Sequence, residues 1–462
     1  MFKKLRIKNF KAWEDTQEIS MAPITLFFGG NSSGKSSIGQ LLMMLKQTID
    51  SPDRKSPLYS GGPQTAVQLG SFHEMVHQRD SSKKISFEYT WSIDDELRVR
   101  DPISSNIFQG DEISFGASVC FNESQRIVEL SGFNYEIHYG NQLGFSVGLE
   151  RNLNTKNDFK TNFSNYNLVR QKGRVWSIKE AVRFYGFPEE VVAYYQNADF
   201  VQELNLRHEQ LFRSLYYLGP LRIKASRLYP WSGIRPESVG FSGENTISAL
   251  LSAKDRKIGL GYRKVTKPFE EIIALKLKEM GLIDDFIVKP ISENRQEYEV
   301  KVCTKGSKSW VDLPDVGFGV SQVLPVLVQC FYAPSGSVIL MEQPEIHLHP
   351  KAQSVLADVL IDVIRSKENG EDRRIQLIIE THSEHFLRRL QRRIAENEIS
   401  KENVAAYFSD YSKNKPSLTP LLIDDFGNIK NWPEHFFGDE MGDITAQSKA
   451  AIQRRLKEIN KK

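Results

Sequence analysis

Ile24-Thr25-Leu26-Phe27-Phe28-Gly29-Gly30-Asn31-Ser32-Ser33-Gly34-Lys35-Ser36-Ser37 is the stretch from which the rest of the chain can be read. The apolar run Ile24 to Phe28 predicts a buried strand, Gly29 to Ser36 fits the pattern G-x-x-x-x-G-K-[ST], and Ile38, Leu41, Leu42 and Leu45 recur behind it at helical spacing. Strand, glycine-rich loop and helix in that order are the context this motif requires. In such a loop the backbone N–H groups of Gly29, Gly30, Asn31, Ser32, Ser33 and Gly34, with those opening the helix at Lys35, Ser36 and Ser37, surround phosphate oxygens. Lys35 is then expected to reach the β and γ phosphates and the Ser36 hydroxyl to ligate Mg²⁺, which implies ATP or GTP as the ligand. The competing reading is a glycine-rich turn without function, and the strand and helix around the loop weigh against it.

Composition sets bounds without naming a chemistry. A chain of 462 residues exceeds what one core usually supports, which predicts two lobes. Its 61 basic and 58 acidic side chains leave a net charge of +3, so a nucleic-acid contact would have to come from a local patch. Cys120, Cys303 and Cys330 are scattered without a C-x-x-C pair, which speaks against a disulfide framework and a zinc site and fits a reducing cytoplasm. The opening Met1-Phe2-Lys3-Lys4-Leu5-Arg6 has charge but no apolar core behind it, and no run of about eighteen apolar residues occurs, so neither export nor a membrane is expected.

Four stretches differ in texture. Residues 1–80 read as strand, turn, strand, loop and helix, followed from residue 51 by an exposed, breaker-rich loop. Residues 81–215 open as an antiparallel meander of short alternating runs, then turn helical from Ser177-Ile178-Lys179-Glu180, a capping-box pattern. Residues 216–310 connect the lobes, with a helix expected from Phe269 to Met280 and a strand from Tyr298 to Cys303. Residues 311–462 return to buried strands alternating with helices, so the two ends of the chain are expected to form one sheet interrupted by the middle.

Three further constellations fall in that last stretch. Ser337-Val338-Ile339-Leu340-Met341-Glu342 is an apolar strand ending in a carboxylate, the way a phosphate-loop ATPase places its magnesium-side acid, which makes Glu342 the expected acid. Gln376-Leu377-Ile378-Ile379-Glu380-Thr381-His382-Ser383 is a second such strand; His382 would touch the γ-phosphate or orient water, while Thr381 or Ser383 caps the next helix. Gly317-Phe318-Gly319-Val320-Ser321-Gln322 opens an apolar helix and makes a second anion site at a helix N-terminus. One nucleotide has little use for two such sites unless the second serves a neighbouring molecule.

Taken together, these motifs resemble the ATP-binding-cassette class of ATPases. More narrowly they resemble the stand-alone AAA15 group with a DUF3696-like C-terminal part, relatives of the OLD-family and RecF/SMC-type ATPases found in bacterial anti-phage defence systems. Leu5-Arg6-Ile7-Lys8-Asn9-Phe10-Lys11, Tyr217-Leu218-Gly219-Pro220-Leu221-Arg222, Val239-Gly240-Phe241-Ser242-Gly243-Glu244, Glu342-Gln343-Pro344-Glu345-Ile346-His347-Leu348-His349-Pro350 and Trp432-Pro433 through Phe437 carry the resemblance. It implies an α/β head assembled from N- and C-terminal segments around an inserted β-rich and helical middle. It also implies ATP with Mg²⁺, and a head-to-tail dimer in which Gly317, Gly319 and Ser321 of one subunit face the phosphate loop of the other. Leu348-His349-Pro350 would then cross between subunits, and His382 would be the switch histidine. His347 and His349 lack a nearby third ligand, so no metal beyond Mg²⁺ is expected.

One position departs from the pattern. Where most cassette ATPases carry the glutamate that activates water, this chain has Gln343, and an amide cannot accept a proton as a carboxylate does. Either Glu345 serves instead or turnover is slow. Two function classes follow: an ATP-driven sensor that controls a separate effector such as a nuclease in response to DNA or a phage protein, or a repair ATPase of the RecF/SMC kind. Asp424-Asp425 reads as a turn cap, and the basic terminal helix with Arg454, Arg455, Lys457, Lys461 and Lys462 reads as solvated more readily than as a nucleic-acid contact.

Overall fold

Strand Ile24–Gly29, which feeds the glycine loop, lies between two strands from the far end of the chain, Gln376–Glu380 on one side and Val404–Ser412 on the other. The computed structural model describes all residues except 102–104, 153–157, 174–176, 262–264, 294, 305, 307–308, 413–414, 434–439 and 460–462. Phe437, Lys461 and Lys462 therefore lie outside the described residues. The complete six-stranded order is Leu215–Leu218, Val338–Glu342, Gln376–Glu380, Ile24–Gly29, Val404–Ser412, Lys415–Pro420. The first five run parallel and the last returns antiparallel. The three central strands are buried along nearly their whole length, as parallel strands covered on both faces must be. This is the α/β head built from both chain ends that the motifs imply, with Leu215–Leu218 added from the middle.

Alternation along these strands feeds two cores. Phe27, Val338, Leu340 and Ile378 join the core that holds helix Lys35–Asp50, helix Phe200–Arg213 and a second sheet. Leu26, Phe28, Ile339, Met341, Leu377 and Ile379 face the opposite way, into a core with helices Phe269–Glu279, Phe318–Tyr332, Pro350–Ile364 and Glu384–Ala395. The second sheet is eight-stranded and antiparallel, and its long strands, Ile85–Arg100, Ile107–Asn122, Ile127–Tyr139 and Gln142–Arg151, form the expected meander. It also takes in the opening strand, Phe2–Phe10, which pairs with Ile85–Arg100.

Three readings need correction. Of the opening strands only Ile24–Gly29 shares a sheet with the C-terminal segment, whereas Phe2–Phe10, Trp13–Asp15 and Ile19–Ser20 pair within the antiparallel sheet of the middle. Ser177-Ile178-Lys179-Glu180 does not start a helix: Ile178 bridges Phe159 and Val182 bridges Gly186, and helices form only at Glu189–Tyr194 and Phe200–Arg213. Gly186 and Pro188 interrupt any helical run there, and the capping pattern alone carries no periodicity. The breaker-rich loop from residue 51 to 80 is irregular but not exposed throughout, because Leu58, Val67, Leu69, Phe72, Met75 and Val76 are buried in the first core. Helix Phe269–Glu279 and strand Glu297–Thr304 form where expected. Among the described residues no helix is long and apolar enough to cross a membrane.

A buried amide helps to fasten the two sheets together. Gln376 Oε1 accepts from the Phe2 N–H at 2.8 Å, while Gln376 Nε2 donates to the carbonyls of Phe2 at 2.8 Å and Ala22 at 3.1 Å. Gln376→Ala would leave the buried Phe2 N–H and carbonyl unpaired and take one of two donors from the Ala22 carbonyl, so we predict a loss of about 2–4 kcal/mol. A lowered melting temperature in the purified variant checks this, and an unchanged one would mean that the clasp is dispensable.

Candidate functional site

Gly29 and Gly34 bracket the loop with φ of 138° and 97°, backbone that side chains resist. A Cβ on Gly29 would lie 1.9 Å from the Ser409 carbonyl oxygen, and one on Gly34 would lie 3.0 Å from Ala12 Cβ and 3.1 Å from the Trp13 ring. The same neighbours hold the loop by hydrogen bonds. Trp13 Nε1 donates to the Gly34 carbonyl at 3.0 Å, and Ser409 Oγ donates to the Ser33 carbonyl at 2.7 Å. The loop is thus clamped between the antiparallel lobe and a C-terminal strand. Gly34 caps helix Lys35–Asp50 with no capping side chain, so the first N–H groups of the helix are left to a ligand.

Gly30, Asn31 and Ser32 are exposed at the loop tip, whereas Ser33, Lys35 and Ser37 are buried. Lys35 Nζ is folded back on the loop, donating to the carbonyls of Gly29 at 3.0 Å and Gly30 at 2.6 Å and to Ser33 Oγ at 3.4 Å. Burial pulls the Lys35 ammonium below its ordinary range, against the attraction of Glu380.

Glu342 and Glu380 stand side by side at the ends of neighbouring parallel strands, in direct register. By alternation both point to the side of helix Lys35–Asp50, with Leu340 and Ile378. Glu342 Oε1 accepts from the Tyr217 hydroxyl at 2.8 Å. Burial, and then repulsion from Glu380, push Glu342 up to about 7, with the Tyr217 bond acting the other way. Burial raises the proton affinity of Glu380, against the neighbouring Ser36 hydroxyl and the Lys35 charge. Its Oε2 is buried without a partner. Glu380 did not stand out in the sequence, where attention falls on the histidine two residues later.

The turn after Glu342 is tied to the strand beside it. Gln343 adopts a left-handed φ of 45° and its N–H donates to the Glu380 carbonyl at 2.7 Å. The buried Arg222 Nη2 donates to the carbonyls of Glu342 and Gln343, both at 3.2 Å, and burial pulls this guanidinium down to about 10 against the Glu345 charge. Glu345 is itself buried, and its Oε1 accepts from Thr381 Oγ1 at 2.7 Å and the His382 N–H at 2.8 Å. Its Oε2 has no partner, and burial raises the proton affinity of the group. The His382 imidazole is held below its ordinary range, first by desolvation and then by the nearby Lys35 charge. Ser383, not Thr381, caps helix Glu384–Ala395 by accepting from the Phe386 N–H at 3.1 Å.

The second glycine element caps its helix with Gly317, which is exposed, and Phe318 beside it is 69% exposed. Ser321 lies within the first turn and its hydroxyl donates back to the Phe318 carbonyl at 3.0 Å. A Cβ on Gly319 would sit 3.4 Å from the His347 carbonyl oxygen, so this turn and the segment leading to Leu348-His349-Pro350 are neighbours. His349 caps helix Pro350–Ile364, and among the described residues no group of three or more His, Cys, Asp or Glu side chains gathers as a metal site. The two internal blocks also meet, since the N–H groups of Gly219 and Ile223 donate to the carbonyls of Phe241 and Ser242. Asp424 caps a turn, accepting from the N–H groups of Phe426 and Asn428.

Comparison with known proteins agrees with this geometry. The model of the AAA_15 family, described as an AAA ATPase domain, matches residues 1–210 and 245–387, and that of DUF3696, described as a protein of unknown function, matches residues 399–447. No curated protein matches the sequence. Among solved structures, the SMC head domain from Thermotoga maritima is similar at 10% identity and a TM-score of 0.41, over 91% of this chain and 99% of that one. An SMC head bound to the C-winged helix domain of ScpA is similar at 10% identity and 0.43, over 91% and 98%. With the phosphate loop, its clamp and the paired strand-end acids in place, the chain belongs to the AAA_15 family of AAA ATPase domains and is an ATP-binding P-loop ATPase.

Proposed function

We propose that this chain is an ATP-driven switch that dimerises head to tail around ATP and, in that state, controls a separate effector protein, a nuclease being the first kind to test. Gly29 to Ser37 would cradle the phosphates, Ser36 and Glu342 would hold the Mg²⁺ side, and Gly317, Gly319 and Ser321 would close on the nucleotide of the partner. Glu345 and His382 would manage the attacking water, with Gln343 beside them. DNA or a phage protein is the trigger this reading favours, because the motifs resemble those of defence ATPases.

The observation that carries the dimer reading is the placement of two uncapped helix N-termini on opposite faces of one sheet. Helix Lys35–Asp50 lies in the first core and helix Phe318–Tyr332 in the second, and the latter presents its glycine-rich first turn to solvent. An exposed N-terminus with no side-chain cap suits an anion delivered from outside the chain. The fit to Mg²⁺ rests on donor chemistry: a hydroxyl and two carboxylates are hard oxygen ligands, and Glu380 keeps a buried oxygen unpartnered.

Mixing tests the trans arrangement. We predict that Ser321→Arg and Lys35→Ala proteins, each inactive alone, regain ATP turnover when combined, because a heterodimer contains one intact composite site. Co-purification of an untagged variant with a tagged one in the presence of ATP confirms that heterodimers form. A mixture no more active than the sum of its parts, under those conditions, rejects the sandwich.

A further inference from the structure

We infer that Glu380 is the carboxylate that serves the magnesium side of the nucleotide next to Ser36, with Glu342 as its neighbour rather than the sole acid. The inference deepens the ATP reading of the same site and rests on it. Three independent features of the fold lead to it. Strand Gln376–Glu380 lies between the phosphate-loop strand and strand Val338–Glu342, and neighbouring strands are about 4.8 Å apart. Glu380 is therefore one strand from the loop and Glu342 two. The Ser36 hydroxyl, the side chain that a P-loop offers to its cation, lies beside Glu380 and lowers its proton affinity. Glu342 has instead given one oxygen to Tyr217.

The third feature is an imbalance. Glu342 and Glu380 face each other in register, and the Lys35 charge that attracts Glu380 is the group that must turn to the phosphates. Glu380 Oε2 is buried with no donor. Two carboxylates so placed repel each other in a poorly solvated site, and a divalent cation shared between them, Ser36 and phosphate would relieve that repulsion. A purely structural role, in which Glu380 only fixes the Ser36 rotamer, leaves the second oxygen without purpose.

The test separates metal-dependent from metal-free binding. ATP affinity is measured by calorimetry in EDTA and across a Mg²⁺ titration for the wild type, Glu380→Gln and Glu342→Gln, with Mn²⁺ binding followed by electron paramagnetic resonance. For Glu380→Gln we expect metal-free ATP binding equal to or tighter than wild type, and a Mg²⁺ requirement raised about ten-fold or more, the scale of one lost charged ligand. Its melting temperature without ligand should match or exceed that of the wild type, since an isosteric amide removes a repelling charge. Should that variant fail to fold, Glu380→Asp retains the charge while withdrawing it, and must still show a raised Mg²⁺ requirement. An unchanged Mg²⁺ titration in the folded variant, with a shift only in Glu342→Gln, overturns the inference. Failure of the wild type to bind ATP under any condition would instead defeat the ATP reading beneath it.

Discussion

Replacing Lys35 by alanine is expected to weaken ATP binding by about 10²-fold or more, because two or so charge-assisted contacts to phosphate are lost at once. The structure adds a cost that a loop lysine would not suggest. Lys35 is buried and its ammonium satisfies the Gly29 and Gly30 carbonyls and Ser33 Oγ. Truncation frees those acceptors, so the variant should lose about 1–3 kcal/mol of stability, too little to unfold a chain with two full cores. The expected picture is a folded protein with a slightly lower melting temperature and no stabilisation by ATP. Unchanged affinity by calorimetry in that folded variant would remove the basis for the phosphate-loop assignment.

The second large effect concerns the water-activating position. Glu345→Gln is expected to slow phosphate release by about 10²-fold or more, the usual scale of a general base, while Gln343→Glu changes it little. Glu345 has an unpartnered oxygen and a proton affinity raised by burial, both of which suit a base, and an amide there can still accept from Thr381 and His382 through its own oxygen. The fold should therefore survive the change and only the chemistry should suffer. The alternative outcome, a rise in turnover for Gln343→Glu with Glu345→Gln neutral, would mean that the amide at 343 is what keeps the enzyme slow. If neither substitution alters the steady-state rate, both residues are bystanders.

What could be read from the sequence was whatever is local along it. Gly29 to Ser36 with its flanking strand and helix, the apolar runs ending at Glu342 and Glu380, and the glycines ahead of Ser321 are each contained within a dozen or so residues, and the structure has those strands and helices in place. Order across a sheet is not local. That Gln376–Glu380 separates the other two strands, and so brings Glu380 to Ser36, depends on pairings the chain order does not reveal. The contacts of Trp13, Ser409, Tyr217 and Arg222 at the site were missed for the same reason: each reaches it from a distant segment by one or two hydrogen bonds or a ring contact. Tyr217 and Arg222 stand in one of the blocks that carry the resemblance, but nothing within that block ties them to Glu342 or Gln343. The false helix start at Ser177 is the reverse case, a local pattern that the buried, aperiodic Ile178, Phe184, Tyr185 and Phe187 override.

The pairing of strand Ile24–Gly29 also sets an order of events in synthesis. Among the described residues it pairs with residues 377–380 and 404–409. At roughly 5–20 residues per second, a ribosome that has made the glycine loop needs tens of seconds more before either partner emerges. The antiparallel lobe, whose strands end at Ser164, can close well before then. Through that interval Ile24 to Phe28 is an apolar segment without a sheet, the kind of stretch that chaperones shield and that aggregates when they do not. The two strands that flank the one feeding the glycine loop are therefore both present only once residue 409 has been made.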